Sequence, residues 1–355
     1  MNTEKTPEID IVNVSNSKIT SVDFENLTFG NVFTDHMLVC DFKEGQWQKP
    51  IIKPYEPFLI DPSAKVFHYG QAIFEGMKAY RDTTNHVWLF RPDQNMDRFN
   101  KSATRLAMPE ITEEIFIGGL KQLVALDQEW VKSGKGNSLY IRPFMIAIGS
   151  GVIAQPSTQY RFMIILSPAK SYYSGEVKVI IAEHYSRAAN GGIGAAKAAG
   201  NYSAQFYPTQ LANAQGFQQI IWTDDATHTK LEEAGTMNIF FRINDTLITA
   251  PTSERILDGV TRKSLLEIAR NEGITVDVRP LTVDELVNAA QDGSLKEMFG
   301  AGTAAVVSPI KGFQYRENYY ELTPQEQPMA LFLKEKLTNI QHKLEEDPFG
   351  WTIKI

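Results

Sequence analysis

Apolar positions along the chain follow two periods. Short apolar runs rich in β-branched and aromatic residues predict strands at His86–Phe90, Leu139–Ile148, Tyr160–Leu166 and Val177–Ala182. Between them a 3.6-residue rhythm takes over. Pro92-Asp93 opens a helix on which Met96, Phe99, Ala103 and Leu106 share one face. Thr112 is placed to cap a second helix, with Glu113 and Glu114 in its first turn and Leu120, Leu123 and Val124 facing inward. The segment Ser167–Gly175 is dense in turn formers and separates two strand-like runs. It predicts a smaller domain over residues 1–167, a connecting loop over 168–176 and a larger domain over 177–355.

In the second half, a Gly/Ala-rich loop precedes a helix predicted from Ser203. Phe217–Trp222 and Met237–Ile243 read as strands around the turn Asp224–Lys230, and Asp245–Ala250 completes a hairpin with the latter. Gly259-Val-Thr261 leads into a helix over Arg262–Asn271 that stops at Gly273. Thr282-x-x-Glu285 is a capping box for another helix, and Thr323–Glu346 reads as mostly helical. No repeat of fixed period is present. The pattern is that of a mixed α/β (α+β) chain in two halves.

A length of 355 residues suits two domains, and the shares of hydrophobic (43%) and charged (22%) residues are those of an ordinary globular protein. The formal net charge of −7 argues against nucleic acid or an anionic membrane as partner, but leaves room for a local basic pocket that takes one small anion. Cys40 is the only cysteine, which rules out an intrachain disulfide and a cysteine-based zinc site. The six histidines form no His-x-x-x-His pair, and no metal site is expected. Residues Met1–Asp10 carry no apolar core of a signal peptide, and no apolar run approaches the length of a bilayer span, so a cytoplasmic location is expected. The polarity of the first twenty or so residues allows disorder there.

The most unusual segment is Asn190-Gly-Gly-Ile-Gly-Ala-Ala-Lys-Ala-Ala-Gly-Asn-Tyr202, a lysine alone among residues with almost no side chain. A dinucleotide fingerprint needs glycine where Lys197 stands, and a P-loop needs glycine where Ala196 stands. Taken alone, the segment suits either a flexible Gly/Ala loop with an exposed lysine or a flat ligand pressed against the backbone beside an amine able to attack a carbonyl, the requirement for a Schiff base to pyridoxal phosphate. That cofactor needs a carboxylate at its pyridine nitrogen, and Glu232-Glu233-Ala-Gly-Thr-Met-Asn238 supplies acids beside a small-residue turn. Its phosphate needs an arginine and backbone N–H groups. Gly259-Val260-Thr261 and Gly300-Ala-Gly-Thr-Ala304 offer the amides, while Arg91 and Arg98 are both open as the cation.

Taken together these segments resemble the branched-chain amino acid aminotransferases, of the fold type IV family of pyridoxal-phosphate enzymes. The resemblance runs over nearly the whole chain. It is carried by Phe33-Thr-Asp-His-Met-Leu38, His68-Tyr-Gly70, Phe74-Glu-Gly-Met-Lys-Ala-Tyr80, Arg91-Pro92 with Asn95-Met-x-Arg98, and Tyr140-Ile-Arg-Pro143. Ser186-Arg-Ala188, Lys197-x-x-Gly-Asn-Tyr202, Glu233-x-Gly-Thr-Met-Asn238, Gly259-Val-Thr-Arg262 and Gly302-Thr-Ala304 follow in order.

The resemblance implies a two-domain fold type IV architecture and reversible transamination of L-leucine, L-isoleucine and L-valine with 2-oxoglutarate. It makes Lys197 the Schiff-base lysine and proton carrier, and Glu233 the acid at the pyridine nitrogen. Tyr202 matches the tyrosine at the phenolate oxygen, Arg98 the phosphate-side arginine, and Arg187 a second cofactor-side arginine. Val260, Thr261 and Thr303 complete the phosphate cradle. Phe29, Phe74 and Tyr140 match apolar pocket walls, with Tyr69 reaching in from a partner subunit. Arg142 matches the arginine for the glutamate side-chain carboxylate, and Thr236 and Ala304 match positions near the α-carboxylate. Gly151-Val-Ile153 matches a loop that meets the neighbouring subunit, so a homodimer or larger homo-oligomer is implied.

One departure concerns a Cys-x-x-Cys pair found in some animal relatives, where Ala305 and Ser308 stand here. Their thiol switch is expected to be absent. The rivals are a D-amino acid aminotransferase or aminodeoxychorismate lyase of the same fold, and a binding module that keeps the fold without the chemistry.

Overall fold

The computed structural model describes residues 8–170 and 177–355, which form two compact units. The first unit is built on one sheet. Its strands run in the order Asp10–Ile11, Ile51–Pro54, His36–Lys43, Tyr160–Ala169, Ser138–Ala147, Met77–Arg81, Val87–Phe90 and Thr352–Lys354. Neighbours are antiparallel except the first pair. The helices of this unit are α1 (Lys65–Tyr69), α2 (Pro92–Arg105) and α3 (Gly119–Leu126).

Alternation along the strands sends Leu139, Ile141, Phe162 and Ile164 to one face, where they meet Phe99 and Ala103 of α2 and Leu120 and Leu123 of α3 in one buried cluster. Phe99, Phe116 and Phe162 pack ring against ring, 5.5–5.7 Å between centroids, at its centre. The opposite face is left for Tyr140 and Arg142.

The unit also takes in Ala196–Ala199 and Ile340–Ile355, which a division at residue 176 assigns to the other domain. Backbone pairing is the reason. Ala198 bridges Ile73 antiparallel, and Thr352–Lys354 pairs with Val87–Phe90.

The second unit is a ring of six strands. Val177–Ile181 pairs parallel with both Gln219–Thr223 and Val306–Tyr315. Lys230–Ala234, Met237–Ile243 and Leu295–Gly302 close the ring through antiparallel pairs. Val179, Ile181, Ile221, Ile239, Phe241, Met298 and Phe313 from its strands form one buried cluster with Val283 and Leu286. Helices α4 (Gly200–Ala214), α5 (Val260–Asn271), α6 (Val283–Gln291) and α7 (Met329–Gln341) accompany it. No helix among the described residues is long and apolar enough to cross a membrane.

Several boundaries differ from the sequence pattern. The strand from Tyr160 continues to Ala169, beyond the apolar run that ends at Leu166. The rest of the predicted connecting loop, 171–176, lies outside the described residues. The helix expected after Thr112 begins as a π-helical turn over Glu114–Gly118. The polar stretch before residue 20 is partly structured: Asp10–Ile11 pairs with Ile51–Ile52, and Val14 N donates to His36 Nε2 at 3.1 Å. Asp35 supplies the other anchor, accepting from Ser17 Oγ and from Lys18 N.

Candidate active site

In the first unit, three residues of α2 face the same way. Asn95, Arg98 and Ser102 stand three and four apart, so helical geometry puts them on one stripe. Asn95 Nδ2 donates to Glu75 Oε2 at 2.7 Å. Arg98 meets the same carboxylate with two N–H groups, Nε to Oε1 at 2.7 Å and Nη2 to Oε2 at 2.8 Å. Ser102 Oγ accepts from Lys197 N at 2.9 Å and donates to Arg98 O.

Lys197 is held in extended pairing beside Ala72–Phe74. Phe74 N donates to Lys197 O, and Ala199 N to Ala72 O. The buried alanines 196 and 198 flank it, and its Nζ lies 4.8 Å from the Phe74 ring centroid.

Phe74 also receives the Arg142 guanidinium, 4.6 Å from its ring centroid, and Arg142 lies 5.3 Å from the Tyr140 ring. Arg142 Nη2 donates to the Tyr140 hydroxyl at 2.8 Å, while Arg142 Nε is buried with no hydrogen-bond partner among the described residues. Phe29 meets Tyr140 edge to face at 4.8 Å. Gly76 makes this possible, because a Cβ there would collide with the Tyr140 hydroxyl. One unit thus brings together Lys197, Arg98, Phe29, Phe74, Tyr140 and Arg142. Tyr69 stands apart on α1, half exposed, with its hydroxyl donating to Val152 O. Val152 and Ile153 are exposed beside it.

In the second unit, Glu233 and Glu232 point to opposite sides of their strand. Glu233 is buried, pairs with Arg187 Nε at 2.5 Å, and accepts from Asn238 Nδ2 at 3.0 Å and Leu257 N at 3.1 Å. Glu232 pairs with Arg255 Nε at 2.5 Å. Burial still pushes the Glu232 carboxyl above its ordinary value, against the pull of Arg255.

Arg187 Nη2 reaches Gly194 O at 2.9 Å and also donates to Arg255 O. Gly194 is closely enclosed, since a Cβ there would meet the Ala188 side chain and sit 2.7 Å from Arg255 O. Part of the small-residue run therefore answers to the chain's own packing.

Val260 and Thr261 open α5, and Gly259 before them provides no side-chain cap. Thr236 sits in the turn joining Lys230–Ala234 to Met237–Ile243. Its carbonyl lies 3.9 Å from where a Cβ of Gly302 would stand, so this turn adjoins the one holding Thr303 and Ala304. Tyr202 lies in the first turn of α4.

Arg91, the other candidate cation of the sequence, caps α2 with φ +47° and stacks on Trp351 at 4.6 Å. The residues that sequence reasoning left without a role are Glu75, Asn95 and Ser102. The only trace of them in the sequence is a carboxylate just after Phe74 and polar side chains at helical spacing on α2, neither distinctive without the partners.

The pattern of the family described as amino-transferase class IV matches residues 72–313. A Bacillus subtilis protein named branched-chain-amino-acid aminotransferase 2 is 42% identical over 349 residues, covering 97% of this chain and 96% of its own length. A branched-chain aminotransferase from Thermoproteus uzoniensis, solved with norvaline, superposes with a TM-score of 0.75 at 24% identity, over 90% of this chain and 99% of its own. The T.th. branched-chain amino acid aminotransferase complexed with N-(5'-phosphopyridoxyl)-L-glutamate gives a TM-score of 0.70 at 25% identity, over 88% of this chain and 97% of its own.

Proposed function

The chain belongs to the class IV aminotransferases, and from that premise we propose that it moves the amino group of L-leucine, L-isoleucine or L-valine onto 2-oxoglutarate, reversibly and with pyridoxal phosphate. The residues present suit the cofactor. Glu233 offers a buried carboxylate held by three donors, the partner that a protonated pyridine nitrogen needs. Lys197 offers an amine among alanines, on the face of an aromatic ring. Arg98, with the amides of Val260 and Thr261 and the Thr303 hydroxyl, would hold the phosphate, and Tyr202 the phenolate oxygen.

Bound in this way, pyridoxal phosphate supplies an electron sink for the charge left when the substrate α-carbon loses its proton. The chain does the rest. Lys197 Nζ carries that proton away from the α-carbon. Glu233 keeps a proton on the ring nitrogen, and its ion pair with Arg187 Nε holds the carboxylate in place. Phe29, Phe74 and Tyr140 exclude water around a branched side chain. Thr236 and Ala304 receive the α-carboxylate.

The observation that carries the substrate reading is Arg142. Its guanidinium is stacked over Phe74 and Tyr140, among the apolar walls, with Nε buried and lacking a partner among the described residues. A pocket that must take an isobutyl group in one half-reaction and a carboxylate in the other needs such a donor within an apolar lining. A homodimer, with Tyr69 and the loop 151–153 serving a neighbouring subunit, belongs to the same reading and is supported by the exposure of Tyr69, Val152 and Ile153.

The test is turnover of L-leucine with 2-oxoglutarate by wild type and Lys197→Ala. Wild type is expected to form glutamate, and the variant to fold and form none. Normal turnover by Lys197→Ala overturns the lysine assignment. Wild-type activity with D-alanine and none with L-leucine overturns the substrate.

A further inference from the structure

Glu75 is the most deeply buried carboxylate in the first unit, with a relative exposure of 0%. A lone ionised carboxylate in such a place is strongly disfavoured, so its charge must be matched. Burial pushes its carboxyl up, yet Arg98, followed by Lys197 and Asn95, more than offsets this and holds it below the ordinary glutamate value.

The geometry is as specific as the charge. Two parallel N–H groups of Arg98, the Asn95 amide and the N–H of Gly76 all converge on the two oxygens. Two-point pairing fixes the plane of a guanidinium as well as its distance. The next residue back is Phe74, whose ring lies under the Lys197 amine.

We propose that Glu75 is a positioning residue for phosphate recognition: its carboxylate grips the Nε and Nη2 side of Arg98 and so sets the guanidinium plane presented to the cofactor's phosphate. The inference rests on the reading of Arg98 as the phosphate-side arginine. On this reading Glu75 need not touch cofactor or substrate. It acts through Arg98, with Asn95 holding the carboxylate from its other side.

The consequence separates Glu75 from a residue that merely balances a buried charge. Misdirecting Arg98 weakens binding of a phosphorylated ligand and leaves the same ligand without phosphate nearly untouched. The experiment measures the affinity of the cofactor-free protein for pyridoxal phosphate and for pyridoxal by the absorbance of the lysine-bound form. It uses wild type, Glu75→Gln, Glu75→Asp, Arg98→Gln and the double variant Glu75→Gln/Arg98→Gln. Pyridoxal binding reports that the pocket is folded, and Glu75→Asp keeps the charge while drawing the carboxylate back by one methylene.

The expected result is a loss of the preference for the phosphorylated ligand of about tenfold or more in Arg98→Gln and in both Glu75 variants. The double variant should lose no more than Arg98→Gln alone, as expected for residues acting through one group. Retention of the full preference by Glu75→Asp, or losses that add in the double variant, overturns the proposal. Retention by Arg98→Gln overturns the phosphate reading itself, a failure distinct from that of Glu75.

Discussion

At the scale of single residues, the site depends on a few side chains whose surroundings decide their chemistry. Arg142 is the sharpest case: its guanidinium lies over the Phe74 and Tyr140 rings, and under the proposed function it would also meet the side-chain carboxylate of 2-oxoglutarate. Replacing it with glutamine is expected to raise KM for 2-oxoglutarate roughly ten- to a hundredfold, the worth of a hydrogen bond to a charged group. KM for L-leucine should move little, and half-reaction kinetics with each substrate separate the two. Equal changes in both would mean that Arg142 serves the pocket only by packing.

Sequence reading singled out Lys197 for its setting among small residues and the Glu232-Glu233 pair for its acids beside a turn, whereas the choice of Glu233 and the naming of Arg142 rest on the family resemblance alone. It missed Glu75 and Ser102 because a buried carboxylate and a helical serine look ordinary until their partners are known. It also could not say that Gly194 is small because the Arg255 backbone passes there, nor that Gly76 is small because the Tyr140 hydroxyl lies over it. Both are contacts between residues distant in sequence, and no local pattern encodes them.

At the scale of elements, local chemistry was legible where the partners are close in sequence. The capping box at Thr282 is present, with Glu285 N donating to Thr282 Oγ1 at 3.1 Å. The turn after Gln219–Thr223 is organised by one carboxylate: Asp224 accepts from the backbone N–H groups of Thr227, Thr229 and Lys230 and from the Thr227 hydroxyl. Burial opposes the charge, but these bonds win and bring the Asp224 carboxyl down from 3.8 to about 2.

A lowered folded-state value adds stability above the unfolded pKa, and that stability is lost as pH falls through the folded one. Wild type should therefore resist urea better than Asp224→Asn at neutral pH. The gap should narrow between pH 3.8 and about 2. Urea midpoints of both proteins across that range check this, and a gap independent of pH would contradict it. Element ends were less legible. The strand from Tyr160 runs on through Pro168 to Ala169 because its partner Ser138–Ala147 is long enough to pair with it, a fact about another segment.

At the scale of the whole molecule, the mixed α/β class could be read from the alternation of patterns. The exact membership of each compact unit could not. Ala196–Ala199 and Ile340–Ile355 join the first unit through strand pairings with residues more than a hundred positions away, which hydrophobic periodicity does not report. The consequence is functional as well as architectural. Lys197 is counted with the unit that carries Phe74, Tyr140 and Arg142, and the chain leaves that unit again at Gly200, two residues before Tyr202.

The central claim is that one amine, Lys197, serves both an apolar amino acid and a dicarboxylate through a bound pyridoxal phosphate. The most direct measurement is an absorbance spectrum of the purified protein supplied with pyridoxal phosphate, taken before and after L-leucine and again after 2-oxoglutarate. The account predicts a near-visible band from the lysine-linked cofactor that L-leucine shifts and 2-oxoglutarate restores. A band that ignores L-leucine and answers to D-alanine, or no band at all, would contradict it.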